Sequence, residues 1–286
     1  RVMKKKKLGK DINKVKTVVL NLLEKKILVL KNNNNNNDKQ IDITLPSYGL
    51  NYGNEHLISK IIKKIDQFFI KNNFQLIDGI ELDTEYYNFD ALNMPIDHPS
   101  KNIHETFYIT KNILLRTHTS NMQIHFMRHN KPPFKVFSYG KVYRRDLDAS
   151  HTPMFHQVEA FVVGKNVSLA NLKFIISDFL SFFFYDKIKI RMRSSYFPFT
   201  EPSMEVDIEC VNCYGSCCYL CNHTGWIEIL GCGIIYPNVL SNCNINNKKY
   251  TGLAFGIGIE RIAMIKHKIK DIRFYFENNI EILSQF

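Results

Sequence analysis

Two separated stretches of the chain combine arginine, carboxylate and glycine in a way that packing does not require. The first is Gly140-Lys141-Val142-Tyr143-Arg144-Arg145-Asp146, which follows a predicted strand and leads through a polar loop to Phe155-His156-Gln157-Val158-Glu159 at the start of another. Two strands joined by a basic loop could hold a polyphosphate along them; a solvated hairpin is the plainer reading. The second is Phe255-Gly256-Ile257-Gly258-Ile259-Glu260-Arg261, where the glycines let backbone pass close to a ligand before a helix begins. An arginine in the first turn of that helix reaches a phosphate with a planar fork that lysine lacks. A third cluster reads Cys210-x2-Cys213-x4-Cys218-x2-Cys221, two CxxC pairs able to close a tetrahedral thiolate site around zinc. The adjacent Cys217 leaves open which thiol of the Cys217-Cys218 pair would ligate, and a metal-free reduced loop is the alternative.

These residues need elements to carry them. From Val15 to Leu30, Val15, Val18, Val19, Leu22, Leu23, Ile27 and Leu30 recur at helical spacing. The run Asn32 to Asn37 then reads as a loop or linker, because asparagine competes for backbone hydrogen bonds. A second amphipathic helix is predicted over Glu55 to Lys71, and core packing is the plain reading of both stripes. Beyond Phe74, short β-branched and aromatic runs predict strands at Phe134–Tyr139, Val158–Val163, Ile188–Met192, Glu205–Glu209 and Trp226–Leu230. A helix over Leu169–Tyr185 interrupts them and another follows Gly258. Strands that do not alternate regularly with helices predict an α+β fold with a mainly antiparallel sheet. No internal repeat is visible.

Composition narrows the function class. The 286 residues are 45% apolar, ordinary for a globular chain, and 38 basic against 27 acidic residues give +11, a field that attracts polyanions. No run of eighteen apolar residues exists, and Arg1 to Lys10 is lysine-rich without the apolar core of a signal peptide, so the expectation is a soluble cytoplasmic protein. Five of the seven cysteines fall between Cys210 and Cys221, which is metal-site spacing rather than a disulfide framework and suggests a reducing compartment.

Taken together, the two arginine segments resemble motifs 2 and 3 of the class II aminoacyl-tRNA synthetases, and the chain between narrows the likeness to the bacterial-type phenylalanyl-tRNA synthetase α subunits. His98-Pro99, Leu115-Arg116-Thr117-His118-Thr119-Ser120, Thr152-Pro153-Met154-Phe155-His156-Gln157-Val158-Glu159, Ser195-Tyr196-Phe197-Pro198-Phe199-Thr200-Glu201-Pro202-Ser203, Gly231-Cys232-Gly233, Pro237-Asn238-Val239-Leu240 and Ser284-Gln285-Phe286 all carry it. The likeness runs in order from about Ile41 to the C-terminus.

The resemblance implies a class II synthetase-like antiparallel core flanked by helices. It also implies activation of phenylalanine with ATP to the adenylate and pyrophosphate, followed by transfer to tRNA(Phe). Arg144 and Arg261 would be catalytic, neutralising the phosphates. Arg144, Asp146, Gly256, Gly258 and Arg261 would bind ATP. Phe197, Phe199 and Ala254 would line the slot for the substrate ring, with His118, Ser120, Gln123, Gln157 and Glu159 at its polar ends. Glu201 would hold magnesium, a hard cation suited to oxygen ligands. A structural zinc on Cys210, Cys213, Cys218 and Cys221 resembles some bacterial members. The partner would be a β subunit in an α2β2 heterotetramer, with editing kept in that partner.

Departures accompany the likeness. Residues 1–40 look like a shortened N-terminal helical arm and Asn-rich linker ahead of a catalytic domain over 41–286, with a Cys-rich insertion at 210–221. Lys4 to Lys7 could offset the shortening through phosphate attraction or could be a solvated terminus. Asn121 stands where members often carry proline or glycine, and His125 where arginine is usual. Motif 1, the dimer-interface motif, is expected on the Glu55–Lys71 helix and a following strand through Pro95 to Pro99. Two other classes of reading compete: a catalytically silent scaffold with the synthetase fold, and a zinc-ribbon nucleic-acid module.

Overall fold

In the computed structural model the described residues are 2–35, 54–148, 151–184, 188–218 and 221–286, and the chain divides into two compact units, Arg1–Tyr52 and Gly53–Phe286. The first unit holds one helix, α1 (Val2–Asn35). It runs into the asparagine run that the sequence reading treats as a break. Each asparagine costs roughly half a kcal/mol of helix propensity, too little to stop a helix already propagating. Along α1 the apolar side chains from Leu8 to Leu30 are exposed, so this stripe is not buried core as expected. The expected junction at residue 40, the rest of the asparagine run and the side chains of Lys4 to Lys7 lie outside the described residues.

The second unit begins with α2 (Leu57–Lys71), whose Leu57, Ile58, Ile61, Ile65, Phe68 and Phe69 are buried along one face. It continues through β1 (Gln75–Leu76), β2 (Leu82–Thr84), α3 (Glu85–Asn88), β3 (Ile113–Leu115), α4 (Asn121–His129), β4 (Phe134–Tyr143), β5 (Met154–Gly164) and α5 (Leu169–Phe184). There follow β6 (Ile190–Phe197), β7 (Thr200–Glu209), β8 (Trp226–Ile235), α6 (Pro237–Asn242), β9 (Thr251–Gly258), α7 (Ile259–His267) and α8 (Ile280–Leu283). Seven strands form one sheet in the order β1-β4-β5-β9-β8-β7-β6, antiparallel except where short β1 lies parallel to β4. This is the expected α+β arrangement. Two details differ. Gly140 to Tyr143 belongs to β4 rather than following a strand, because Met154 to Gln157 of β5 complete its ladder. Pro95 to Pro99 forms no strand but leads into a 3-10 turn, Pro99–Lys101; proline lacks the N–H that a ladder needs.

Alternation along the strands separates two faces. One packs Phe137, Val158, Ala160, Phe255, Leu230 and Val206 against α2, α5 and α7. Phe69 lies at its centre, stacked on Phe137 and Phe179 at 4.7 and 5.5 Å between ring centroids. On the other face Val136, Phe161 and Ala254 are covered by Ile124 and Met127 of α4 and by Val239 and Leu240 of α6. Further along the same face the sheet carries polar residues and glycines instead.

Candidate active site

Strand register fixes the polar row. Ser138 pairs with Glu159, Glu159 with Gly256, Gly256 with Gly231 and Gly231 with Glu205, so these residues cross five strands on one face. The neighbouring rows, Gly140-Gln157-Gly258 and Phe161-Ala254-Gly233, share that face. Gly256 and Gly231, side by side at its centre, add no side chain of their own, so the neighbouring Gln157 and Phe197 side chains reach in over them.

At one end of this floor Glu159 is buried, 4% exposed, and receives hydrogen bonds from Ser120 Oγ at 2.6 Å, Thr119 Oγ1 at 3.3 Å and the Gln123 amide. Burial pushes its carboxyl above the usual carboxylate range, against the opposing pull of Ser120, Gln123, Thr119 and the Arg116 charge. An ammonium group beside it would restore the charged form. His118 stands nearby in the sequence and is also buried, its imidazole pulled down to about 3 by burial first and by the Arg144 and Arg116 charges next. It is therefore neutral at physiological pH, and neither ring nitrogen makes a hydrogen bond of normal geometry to the described residues, the backbone of Asn88 being the polar group that acts on the ring. Ser138 Oγ and Gln157 Oε1 are buried and unpartnered as well. Natural proteins rarely leave such atoms unpaired, so they mark polar positions for a ligand or water to fill.

An aromatic wall closes the slot. Phe197 and Phe199 stack at 6.0 Å and 17°, and Phe199 lies 6.0 Å from His118. The β6–β7 turn that bears them is pinned by Ser203 Oγ, which accepts from Phe197 N–H at 3.1 Å, by Asn93 Nδ2 donating to Pro198 O at 2.9 Å and by Tyr236 N–H donating to Phe199 O at 2.9 Å. The Phe197 ring lies directly over Gly231: a Cβ there would stand 2.9 Å from Cζ. Ala254 lies in the next row along, buried between Phe161 and Gly233.

The two arginines are arranged alike. Arg144, just past β4, is exposed, donates from Nε to Thr117 O at 3.1 Å and sits over the Phe155 ring at 5.4 Å. Arg261, in the first turn of α7, is exposed and donates from Nε to Glu228 O at 3.2 Å. Each side chain is tethered at Nε, and its terminal nitrogens make no hydrogen bond to the described residues. Asp146 is exposed in the loop after β4 and contributes to the field at Arg144. Glu201 is exposed on β7, with no hydrogen bond or ion pair to the described residues, and no contact joins it to Glu159, Arg144 or Arg261.

Three groups escaped the sequence reading as site residues. Arg116 is 1% exposed, donates from Nε to Lys141 O at 2.8 Å and fills the space that side chains at Gly79 or Gly140 would take. Buried Glu260 accepts from His156 N–H at 2.9 Å and meets its Nδ1 at 2.7 Å, linking the start of α7 to β5. Asp83, 5% exposed on β2, gathers Asn121 and His125 of α4. Arg116, His156 and Glu260 stood within the quoted motifs without a role of their own; nothing in the spacing signalled Asp83.

The cysteine quartet is brought together. The Sγ atoms of Cys210, Cys213, Cys218 and Cys221 lie within 4.8 Å of one another, with Cys210–Cys218 and Cys213–Cys221 at 3.8 Å and Cys218–Cys221 at 3.9 Å. Four thiolates at about 2.3 Å from a tetrahedral ion stand about 3.8 Å apart, so the set fits zinc. Backbone N–H groups of Cys218 and Gly225 point at Cys221 Sγ at 3.3 and 3.2 Å, as donors around a thiolate should. Cys217 faces away, exposed, at a left-handed φ of +65°. The open choice between Cys217 and Cys218 therefore falls to Cys218.

Comparison with known proteins gives two results. The family model of the class II tRNA synthetase core domain (F) matches residues 40–286. A protein of Francisella tularensis subsp. tularensis (strain WY96-3418), named phenylalanine–tRNA ligase alpha subunit, is 46% identical over 285 residues, which is 99% of this chain and 85% of the relative. A protein of the same name from Francisella philomiragia subsp. philomiragia is 45% identical over the same shares. Among the described residues no helix is long and apolar enough to cross a membrane.

Proposed function

The chain belongs to the class II aminoacyl-tRNA synthetases, among the phenylalanine–tRNA ligase alpha subunits, and on that premise we propose how its open sheet face joins phenylalanine to ATP. The observation that carries the reading is the buried carboxylate of Glu159, set at the end of a slot walled by Phe197 and Phe199. An apolar ring with an ammonium group at its other end fits this pairing. Phe197, Phe199 and Ala254 take the ring; Glu159, oriented by Ser120 and Gln123, takes the ammonium, and His118 and Gln157 complete the polar end.

In the reaction a carboxylate oxygen of phenylalanine attacks the α-phosphorus of ATP. The bond to the β-phosphate oxygen breaks and pyrophosphate leaves with the electron pair. Negative charge meets negative charge, so the site neutralises and orients rather than supplying a nucleophile. Arg144 lies against the α-phosphate and the carboxylate; Arg261 takes the γ-phosphate end. Gly256, Gly258 and Asp146 line the nucleotide. Glu201 is an oxygen ligand with no competing partner and would hold magnesium, which when bound offsets phosphate charge. The quartet Cys210, Cys213, Cys218 and Cys221 would hold a structural zinc between β7 and β8. The enzyme works with a β subunit as α2β2 in the cytoplasm, and α1 (Val2–Asn35) serves as a shortened arm that precedes the catalytic domain in the chain. A silent scaffold would need neither the paired arginines nor the buried carboxylate.

The test is phenylalanine-dependent ATP–pyrophosphate exchange, run on this chain alone and co-purified with its β subunit. Exchange in the complex is expected. An intact, folded complex that does not exchange would overturn the reading.

A further inference from the structure

Ser120 occupies the N-cap position of α4, where a serine hydroxyl ordinarily accepts from a backbone N–H of the first turn. Here the residue has helical backbone angles (φ −65°, ψ −19°) and its side chain makes no such bond, while the hydroxyl donates to Glu159. Backbone carbonyls of Thr119 and Ser120 accept from Met122 and Gln123 N–H at 3.1 Å, and Asp83 supplies the side-chain hold that ties this start of the helix to β2. One oxygen of its carboxylate, Oδ2, accepts from Asn121 Nδ2 at 2.7 Å and meets His125 Nε2 at 2.9 Å. Asn121 and His125 stand one turn apart on α4, so a single buried oxygen grips two successive turns. The other oxygen accepts from Thr84 N–H at 2.8 Å, which fixes the carboxylate to β2. His125 is held flat by Tyr87, stacked at 3.9 Å and 18°, and Arg128 ties Tyr86 and Tyr87 to the same helix through hydrogen bonds of 2.7 and 3.0 Å. A negative group beside the first turn also suits the helix dipole.

We propose that Asp83 is a positioning residue for amino-acid recognition. Through Asn121 and His125 it sets the rotation and depth of α4, so that Ser120 and Gln123 keep Glu159 aimed at the substrate's ammonium. This rests on the phenylalanine-binding reading of the slot. Asp83 touches neither substrate nor nucleotide in that reading, and its loss acts on one substrate alone.

The experiment is steady-state exchange on the complete enzyme with its β subunit, varying phenylalanine and ATP separately. If the unsubstituted enzyme shows no phenylalanine-dependent exchange, the reading of the slot fails before Asp83 is reached. Given exchange, Asp83→Ala is expected to raise KM for phenylalanine about ten-fold or more while KM for ATP stays within about two-fold. Asp83→Asn should recover KM to within about three-fold, because Asn121 has an unpartnered Oδ1 that a turned amide can offer to the new donor. His125→Phe keeps the ring stacked on Tyr87 and deletes only the hydrogen bond, so it serves if Asp83→Ala does not fold; a several-fold rise in KM for phenylalanine alone is expected. The proposal is overturned if folded Asp83→Ala or His125→Phe leaves KM for phenylalanine unchanged, if both KM values rise in parallel, or if Asp83→Asn is as impaired as Asp83→Ala.

Discussion

Replacing Gly231 by alanine should raise the floor of the slot under the Phe197 ring. The added Cβ would lie 2.9 Å from Cζ and 3.1 Å from Cε2 of Phe197. Carbon atoms in contact settle at about 3.5–4.0 Å, so the ring must retreat by about half an ångström to one ångström. Phe197 is only half-buried and can retreat into the cleft rather than into core. Overpacking a closed core costs about 1–3 kcal/mol; here the cost should stay below about 1 kcal/mol, a melting shift of about 2–4 °C. The displaced ring then occupies space that the substrate ring needs, and a misplacement of this size is worth about 10–100-fold in KM for phenylalanine. Gly233→Ala supplies the contrast, since its Cβ would meet Pro202 O and Thr200 Cβ, both at 2.6 Å, and neither backbone nor a buried neighbour can give way. That variant should lose stability first. Exchange rates against phenylalanine and ATP, with melting curves of both variants, decide the matter. A Gly231→Ala enzyme with normal KM for phenylalanine, or one destabilised as far as Gly233→Ala, would refute the steric argument.

Other expectations follow from the same geometry. Burial raises the Glu159 carboxyl, so the folded state keeps its proton to higher pH than the unfolded chain; the group favours folding below its unfolded pKa, and this advantage is lost as pH rises through the folded one. Glu159→Gln should thus melt higher than the unsubstituted protein at about pH 8, with the gap narrowing toward about pH 4, while calorimetry shows phenylalanine binding weakened about 100-fold; a lower melting point at the alkaline end would contradict it. Arg144→Ala and Arg261→Ala each lose one tethering hydrogen bond and little packing, so exchange should fall about 100-fold or more with melting almost unchanged; near-normal rates in both would remove them from the chemistry. Elemental analysis of anaerobically purified protein should find zinc retained in Cys217→Ser and lost in Cys218→Ser, and metal absent from the unsubstituted chain would end the zinc assignment.

Much of this architecture is visible in the amino-acid order because its signals are local. The α2 stripe and the strand runs can each be read within a dozen residues, and the Phe197 and Phe199 wall through the resemblance of the motif that holds it. What escaped is assembled at a distance. Asp83 is an unremarked acid until β2 is set beside α4, and Glu260 looks like a helix-start carboxylate until His156 arrives from another strand. Arg116 is one residue of a quoted motif with no role of its own in the sequence, yet two glycines far apart in the chain make room for it inside. The asparagine run misled in the other direction, since local propensity was asked to end a helix that cooperativity carries to Asn35. At Cys217 and Cys218, spacing could not choose between adjacent thiols; the left-handed backbone at Cys217 does.

Strand β9 lies between β5 and β8, and without it the sheet is two fragments, β1-β4-β5 and β8-β7-β6. It acts as a staple driven in late. Both fragments precede Thr251 in the chain, and until β9 is in place each presents an unpaired edge, β5 on one side and β8 on the other. The site shares this history: Glu159 waits on the first fragment and the Phe197 wall on the second, and only β9 draws them across Gly256 into one slot while delivering Arg261 just behind it. Synthesis halted upstream therefore yields sticky halves but no partly working enzyme, and the interval before β9 emerges is when the chain has most need of a chaperone.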